Sequence, residues 1–334
     1  MNSVLLSATL AVGLSALMIW AMLATGLAAF LAVDHPNARS LHRKTIPRSG
    51  GIAIMLAIIG VTSTIPVHPL PLGLLASLAG LSWLDDRLGI AILLRLAFHT
   101  IIAALSIHLI APDMPWPIGA LSILAMVWSM NLFNFMDGAN GLAGGMALFG
   151  FGFFGIAAGM AGSAEMAGMA ESGWIIAMAA GGFLMFNFGQ ARIFMGDCGS
   201  IPLGFLAGFL GIWGSLQNLW SIVFPLLVFL PFIGDATATL FRRLLRGEAF
   251  WQAHREHYYQ RLIRMGWSHK KTALTYYAWM TSSGLSALVA LYLAMPFQIA
   301  ILVGWLVAMV WGFHRIDYHW GQWQTNHQND FLSG

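Results

Sequence analysis

Residues 117–141 read PIGALSILAMVWSMNLFNFMDGANG. No charged residue appears until Asp137, so the uncharged run matches the roughly 20 residues an α-helix needs to cross a bilayer. At its end the character changes within one turn. Asn131, Asn134, Asp137 and Asn140 recur at every third position, with Gly138 and Gly141 among them. Asn131 and Asn134 fall on one face of a helix, the second near its end. An apolar span that delivers carboxamides and a carboxylate to its terminus is the unit from which the whole chain is built.

The other stretches repeat the pattern. The chain has 334 residues, 58% hydrophobic and 9% charged, against roughly 25% charged in soluble domains. A soluble fold of this size could not cover its surface with so few charges. Apolar spans read at 4–32, 51–67, 70–84, 91–111, 117–133, 141–161, 173–188, 200–213, 218–234, 273–295 and 297–313. The expected fold is all-α and polytopic, with about 11 transmembrane helices in a single domain, 1–334. No internal repeat or low-complexity linker divides it. Small residues at Gly141-Leu-Ala-Gly-Gly145 and Gly204-Phe-Leu-Ala-Gly208 predict close helix packing. Trp116, Trp174 and Trp220 read as interfacial. His68, His99, His108 and His314 read as packed or interfacial.

All 16 Lys and Arg residues fall on one side of these spans, in 33–50, 85–90, 134–140, 189–199, 235–272, the tail from 314, or (Arg95) just inside a span end. Arg95 reads as a snorkelling cation. The opposite connections, 66–70, 112–116, 162–172, 214–217 and 295–297, hold no Lys or Arg and only Asp113, Glu165 and Glu171 as carboxylates. The positive-inside rule makes the basic side cytoplasmic, with the N-terminus outside and the C-terminus inside. No Lys or Arg precedes Arg39, so residues 1–32 read as a retained first span rather than a cleaved signal. A net charge of +3 spread in this way gives no argument for nucleic acid. A single cysteine, Cys198, excludes an internal disulfide and a cysteine-based metal cluster.

The cytoplasmic islands carry more than topology requires. In the first, Arg39, Arg43, Lys44 and Arg48 surround a Pro-Arg-Ser-Gly-Gly turn opening a helix. Such a helix start suits phosphate, and the same loop reads equally as a topogenic contact with acidic headgroups. The second holds the adjacent carboxylates Asp85 and Asp86, suited to a divalent metal or to accepting a proton, or to capping a turn. The third is the Asn-Asp run, whose carboxamides suit a sugar or base edge or interhelical hydrogen bonds. The fourth, Asn187-x-x-Gln-Ala-Arg192-Ile-Phe194-Met-Gly196-Asp197-Cys-Gly-Ser200, places glycines about Asp197, which reads as a helix cap or a metal ligand. Cys198, next to an anion, reads as packed rather than nucleophilic. In the fifth, His254, His257 and Arg261 would line one face of a helix. That face suits zinc or, with six Lys and Arg nearby, phosphate; the alternative is a basic amphipathic helix on the membrane.

In order, these pieces resemble one family. They are Asp34-x-Pro-Asn-x-Arg-Ser-x-His42, Pro47-Arg-x-Gly-Gly51, Asp85-Asp86, Asn131-x-x-Asn-x-x-Asp-Gly-x-Asn-Gly-Leu142, Phe194-Met-Gly-Asp-x-Gly-Ser200 and His254-x-x-His257-x-x-x-Arg261. The chain is similar to the polyprenyl-phosphate N-acetylhexosamine-1-phosphate transferases. That family includes the enzyme making the first lipid intermediate of peptidoglycan. The resemblance implies a UDP-N-acetylhexosamine donor, a polyprenyl (undecaprenyl) phosphate acceptor, release of UMP, and Mg²⁺ with Mn²⁺ as the alternative. It implies Asp197 as main metal ligand, and Asp85 and Asp86 as metal ligands or bases for the lipid phosphate. Phe194 would stack on uracil, and Asn134 and Asp137 would hold the nucleoside. Lys44, Arg48, His254, His257 and Arg261 would grip phosphates or sugar, and Asn131, Asn140 and Arg192 complete the expected substrate contacts.

Two departures bear on the branch. Many relatives have a second Asp where this chain has Asn140, and the peptidoglycan enzyme has a run of consecutive histidines where this chain has His-x-x-His. The chain therefore looks closer to the branch that initiates O-antigen and similar surface polysaccharides in a bacterial inner membrane. The peptidoglycan reaction is the alternative within the family. A transporter or lipid flippase is the alternative outside it, although such proteins place polar residues near mid-membrane and show repeats. A homodimer, the choice of amino sugar and the lipid's length are left open by the sequence.

Overall fold

The computed structural model describes residues 2–34, 45–65, 68–162, 164–249 and 254–332. Helix α1 spans Asn2–Ala24 and the short α2 spans Leu27–Leu31; a two-strand ribbon follows, β1 (Val33–Asp34) and β2 (Ile46–Pro47). The strands are antiparallel, with Val33 opposite Pro47 and Asp34 opposite Ile46. Then come α3 (Gly50–Thr62), α4 (Leu72–Leu88), α5 (Ile92–Ile110), α6 (Trp116–Phe135), α7 (Leu142–Ala161), α8 (Ala164–Asn187) and α9 (Asp197–Leu216). The last third holds α10 (Val223–Val228), α11 (Leu230–Leu245), α12 (Tyr258–Arg264), α13 (His269–Ala290) and α14 (Met295–Leu332).

Among the described residues, seven helices are long and apolar enough to cross a membrane: α1, α5, α6, α7, α8, α9 and α14. The protein is an all-α polytopic membrane protein. Helices suit that solvent because each satisfies its own backbone groups. The other expected spans correspond to α3, α4, the α10–α11 pair and α13. Helices α7, α8 and α9 are mostly buried and form the interior, while α1, α5, α6 and α14 are mostly exposed at the rim. The rim shows Leu93, Leu94, Ile101 and Leu109 of α5 and Val303, Val307 and Val310 of α14, an apolar surface suited to lipid rather than water.

Close helix approach rests on glycine. A Cβ at Gly182 of α8 would meet the Val12 carbonyl of α1 at 2.6 Å, and one at Gly173 would meet the Gly155 amide of α7 at 2.7 Å. Gly204 of α9, one of the positions expected to pack closely, lies against α6, where a Cβ would stand 2.5 Å from the Ser129 carbonyl. Ser129 Oγ answers by donating to the Gly204 carbonyl at 2.8 Å.

Several boundaries differ from the sequence reading, each for a local reason. The first span breaks at Gly26, whose φ of 76° ends α1 and lets α2 turn away. The ninth divides at Phe229, between Pro225 and Pro231. Helix α4 continues through Asp85 and Asp86, so these carboxylates are helical rather than in a loop. Residues 164–172 belong to α8 rather than a loop, and Glu171 is buried, accepting from Ser7 Oγ of α1. The 235–272 connection opens as a continuation of α11, and α14 runs on past residue 313 to Leu332. Trp220 is not interfacial. It is buried, donates from Nε1 to the Gly211 carbonyl at 3.1 Å and stacks on Phe224.

Replacing Gly204 by Ala forces backbone apart at the α6–α9 contact. We expect a loss of ~1–3 kcal/mol, read as a lower unfolding temperature in detergent. Gly159→Ala in α7, with nothing within 4 Å of the new methyl group, is expected to be neutral or slightly stabilising.

Candidate active site

The polar islands meet at one end of the bundle. Helices α3, α5, α7, α9 and α13 begin there, and α4, α6, α8 and α11 end there, so each island is a set of helix termini. The first and fourth are stitched by backbone: Phe194 donates to the Pro47 carbonyl at 2.8 Å, Gly50 to Phe194 at 2.9 Å and Gly51 to Met195 at 2.8 Å. The starts of α3 and α9 then touch through glycine. A Cβ on Gly51 would lie 2.3 Å from the Gly199 amide. Gly196, with φ of 76°, holds the turn before α9 in the left-handed region, where a Cβ would also strike Asp86 Oδ2 at 2.8 Å.

This stitching sets four carboxylates together. Asp197 is the first residue of α9 and is nearly buried. It pairs with the Arg48 guanidinium, accepts from Asn134 Nδ2 at 2.8 Å and lies 3.4 Å from Arg95 Nη1. Asp86 Oδ2 accepts from the Cys198 amide at 3.1 Å, so it caps the start of α9. Arg48 Nε stands 3.3 Å from Asp86 Oδ1, yet that buried oxygen has no hydrogen-bond partner. Asp85 accepts from Arg95 Nη1 at 2.8 Å and from the Ile90 amide at 2.7 Å. Asp137 follows the end of α6, and its carboxyl is pushed well above the usual range by burial and by the charges of Asp197 and Asp86, against the pull of Arg48. Among the described residues, four carboxylates thus face two guanidinium groups.

His254 and His257 form a neighbouring group. Their rings stand 4.8 Å apart, and His257 stacks on Phe135 at the end of α6, 6.0 Å between centroids. Burial, then His257 and Arg243, push His254 down to about 4, so it is neutral at physiological pH. They do not share a helix face with Arg261. Helix α12 begins only at Tyr258, because Asp235 takes the amides of Tyr258 and Tyr259 at 2.8 and 3.0 Å and caps the helix there. Arg261 is turned to α14, donating to Asp317 at 2.7 Å and to the Glu256 carbonyl at 2.9 Å.

The remaining expected contacts are distributed differently. Asn131 folds back onto the Val127 carbonyl at 2.7 Å. Asn140 clasps the Gly189 carbonyl at 2.8 Å, while Asn187 receives the Gly141 amide at 2.6 Å. These two amides lock the third island to the fourth. Arg192 lies over Phe186, 5.6 Å from the ring centroid, and is exposed. Lys44 lies outside the described residues. Cys198 is buried, as expected of a packed residue. Three residues that the sequence reading did not assign prove central: Arg95 at the carboxylate cluster, Asp235 beneath α12, and Asp317 holding Arg242 and Arg261. A lone charge inside an apolar span is a functional signal by default, and Arg95 carried it.

Known proteins are similar to this chain in sequence. Residues 69–215 match the model of glycosyl transferase family 4. An undecaprenyl-phosphate alpha-N-acetylglucosaminyl 1-phosphate transferase of Yersinia pestis is 30% identical over 72% of this chain and 71% of its own length. The chain belongs to this family, the polyprenyl-phosphate N-acetylhexosamine-1-phosphate transferases. A probable undecaprenyl-phosphate N-acetylglucosaminyl 1-phosphate transferase of Bacillus subtilis is 28% identical over 74% of each chain. A decaprenyl-phosphate N-acetylglucosaminephosphotransferase of Mycobacterium tuberculosis is 26% identical over 83% of this chain and 80% of its own. The matched segment runs from the start of α4 to the end of α9 and so contains Asp85, Asp86, Asn134, Asp137 and Asp197.

Asp235→Asn keeps the side chain's shape but turns one acceptor into a donor facing a backbone amide. We expect a cost of ~1–3 kcal/mol and faster hydrogen exchange at the amides of Tyr258 and Tyr259, measured by mass spectrometry, with the α7–α8 amides unchanged.

Proposed function

We propose that this chain transfers N-acetylhexosamine-1-phosphate from a UDP-sugar to undecaprenyl phosphate, at the cytoplasmic face of a bacterial inner membrane. The observation that carries the reading is the carboxylate cluster of Asp85, Asp86, Asp137 and Asp197 with Arg48 and Arg95, set where the bundle ends. One substrate is a water-soluble polyanion and the other a membrane lipid, so their phosphates must meet at headgroup level. An oxygen of the lipid phosphate attacks the phosphorus that bears the sugar. The bond from that phosphorus to the oxygen of the uridine-linked phosphate breaks, and UMP leaves. We favour this single displacement over a covalent aspartyl intermediate. The relatives' names favour N-acetylglucosamine as the sugar, and the product would be the first lipid-linked intermediate of a surface polysaccharide. The reaction is that of a phosphotransferase for substituted phosphate groups.

Phosphoryl transfer depends on positioning and on neutralising oxygens. Arg48 and Arg95 would hold the diphosphate, and the amides at the starts of α3 and α9 would add partial positive charge. The donor set fits a hard divalent cation, since Asp86 Oδ1 is buried without a hydrogen-bond partner beside Asp197. Among the described residues no group of three or more His, Cys, Asp or Glu side chains is arranged to hold a metal. Mg²⁺ needs no such cage, because it takes one or two carboxylates together with substrate phosphates. Asp197 and Asp86 would hold it, and it would supply charge neutralisation for the diphosphate and the departing UMP. His254 and His257, against Phe135 at the end of α6, would meet the sugar or its phosphate.

The lipid's tail has a matching surface. An apolar groove between α6, α9, α10 and α11 is lined by Leu132, Phe133, Gly208, Pro225 and Phe229. Leu132 and Phe133 adjoin Asn134, which bonds Asp197, so the α6 wall of the groove leads to the carboxylates. The one-sided placement of Lys and Arg supports an outside N-terminus and eleven spans.

Membranes containing the protein are expected to release UMP from UDP-N-acetylglucosamine when undecaprenyl phosphate is supplied, and to stop when EDTA is added. Asp197→Asn is expected to lower turnover by roughly 10²-fold or more while the protein still inserts. Near-normal turnover of that variant in saturating Mg²⁺ would remove Asp197 from the reaction, and a panel of UDP-sugars assigns the donor.

A further inference from the structure

We propose that the slot between α12, α13 and the far half of α14 binds the headgroup of an anionic glycerophospholipid. The slot measures about 610 Å³. Its floor is the Trp279 indole, seated against the α14 backbone at Gly312, where a Cβ would come within 3.0 Å of the ring. Trp267 and Trp323 form its walls, and Arg315 and His319 stand at its side. Among the described residues no carboxylate lines it.

Charge and depth together select the ligand. Arg315 is exposed, and its guanidinium lies 5.9 Å from the Trp311 ring centroid. Among the described residues no carboxylate pairs with it, since the nearby Asp317 is held by Arg242 and Arg261. Thr275 connects the slot to a shallower face that carries Lys270 and Lys271. Lys271 stands 3.9 Å from the Trp267 ring centroid. Lys270 and Lys271 lie in the first turn of α13, where the helix start adds positive potential. An anion in the slot therefore meets Arg315, with Lys270 and Lys271 on the adjoining face and no competing acid among the described residues.

Depth points to a lipid rather than a soluble anion. The slot follows α14 from Gly312 to Asn326, about 21 Å of helix at 1.5 Å per residue. Its inner end adjoins the apolar run that finishes at Phe313, and its outer end is polar with Gln322 and Asn326. A phospholipid has the same gradient, with acyl chains inward, glycerol between, and a phosphodiester at the level of Arg315. Tryptophans at that level favour the interface, and each Lys or Arg near the surface strengthens attraction to anionic lipid. None of the carboxylate-cluster residues lines the slot, so the site stands or falls apart from the transferase reading.

The test uses the full-length protein in detergent and native mass spectrometry, with phosphatidylglycerol and phosphatidylcholine of matched chains. The expected result is preferential retention of phosphatidylglycerol. Arg315→Gln and Lys271→Gln should each weaken that retention by about fivefold, with phosphatidylcholine unaffected and unfolding temperature in detergent unchanged. Both residues lie outside the candidate active site, so UMP release by the variants serves as a check of intact protein. Equal retention of the two lipids, or phosphatidylglycerol retention that neither variant changes, overturns the proposal. So does displacement of phosphatidylglycerol by inorganic phosphate or by undecaprenyl phosphate at equal concentration, or a dimer cross-linked through His319→Cys.

Discussion

A surplus of carboxylate at the end of a membrane bundle is the constraint on which the structure turns. Asp85, Asp86, Asp137 and Asp197 lie near the low-dielectric interior, where like charges repel strongly and desolvation is costly. Among the described residues, two arginines arriving from different elements make the cluster tolerable. Arg48 reaches it from the turn before α3 and Arg95 from the first turn of α5, so neutralising the site also fixes how α3, α4, α5 and α9 stand to one another. The glycines at 51, 196 and 199 follow from the same demand. Only bare backbone allows two helix starts and a carboxylate-bearing helix end to converge within hydrogen-bond reach.

Around that centre, the cations divide by task. Arg48 and Arg95 serve the carboxylates. Arg242, Arg243, Arg246 and Arg261 are bound into a network with Glu248, Glu256 and Asp317 that fastens α11, α12 and α14. Arg87, Arg192, Arg264, Lys271 and Arg315 lie over aromatic rings near the interface. A distribution that reads in sequence as topology and substrate contact thus holds, among these described cations, three physical roles. The basic side of the membrane is also the side where the polar chemistry is assembled.

How much of this was legible follows from the range of each interaction. The helices were visible because apolar runs are a local property, and the islands were visible because Asn, Asp and Gly are rare in such runs. The convergence of Asp85, Asp86, Asn134, Asp137 and Asp197 was expected from motif order, and the structure brings them together. What escaped depends on partners distant in the chain. Arg95 read as a snorkelling cation, because nothing local reveals that Asp85 and Asp197 face it. His254, His257 and Arg261 read as one helical face, because Asp235, more than twenty residues earlier, decides where α12 starts. Asn131 and Asn140 are indistinguishable in sequence from Asn134, yet their amides are spent on backbone carbonyls.

Asp235 carries a consequence for how the protein is made. It is fully buried, and its oxygens are filled by the amides of Tyr258 and Tyr259 and by the Tyr276 hydroxyl. All three donors are synthesised after it. Until the ribosome has delivered α12 and the first turns of α13, the first half of α11 (Leu230–Leu245) carries a carboxylate that must stay hydrated. That part of α11 therefore cannot settle in its final place while the chain is still short. The last third of the bundle closes as one late event, after the carboxylate cluster already has all of its own side chains in the membrane.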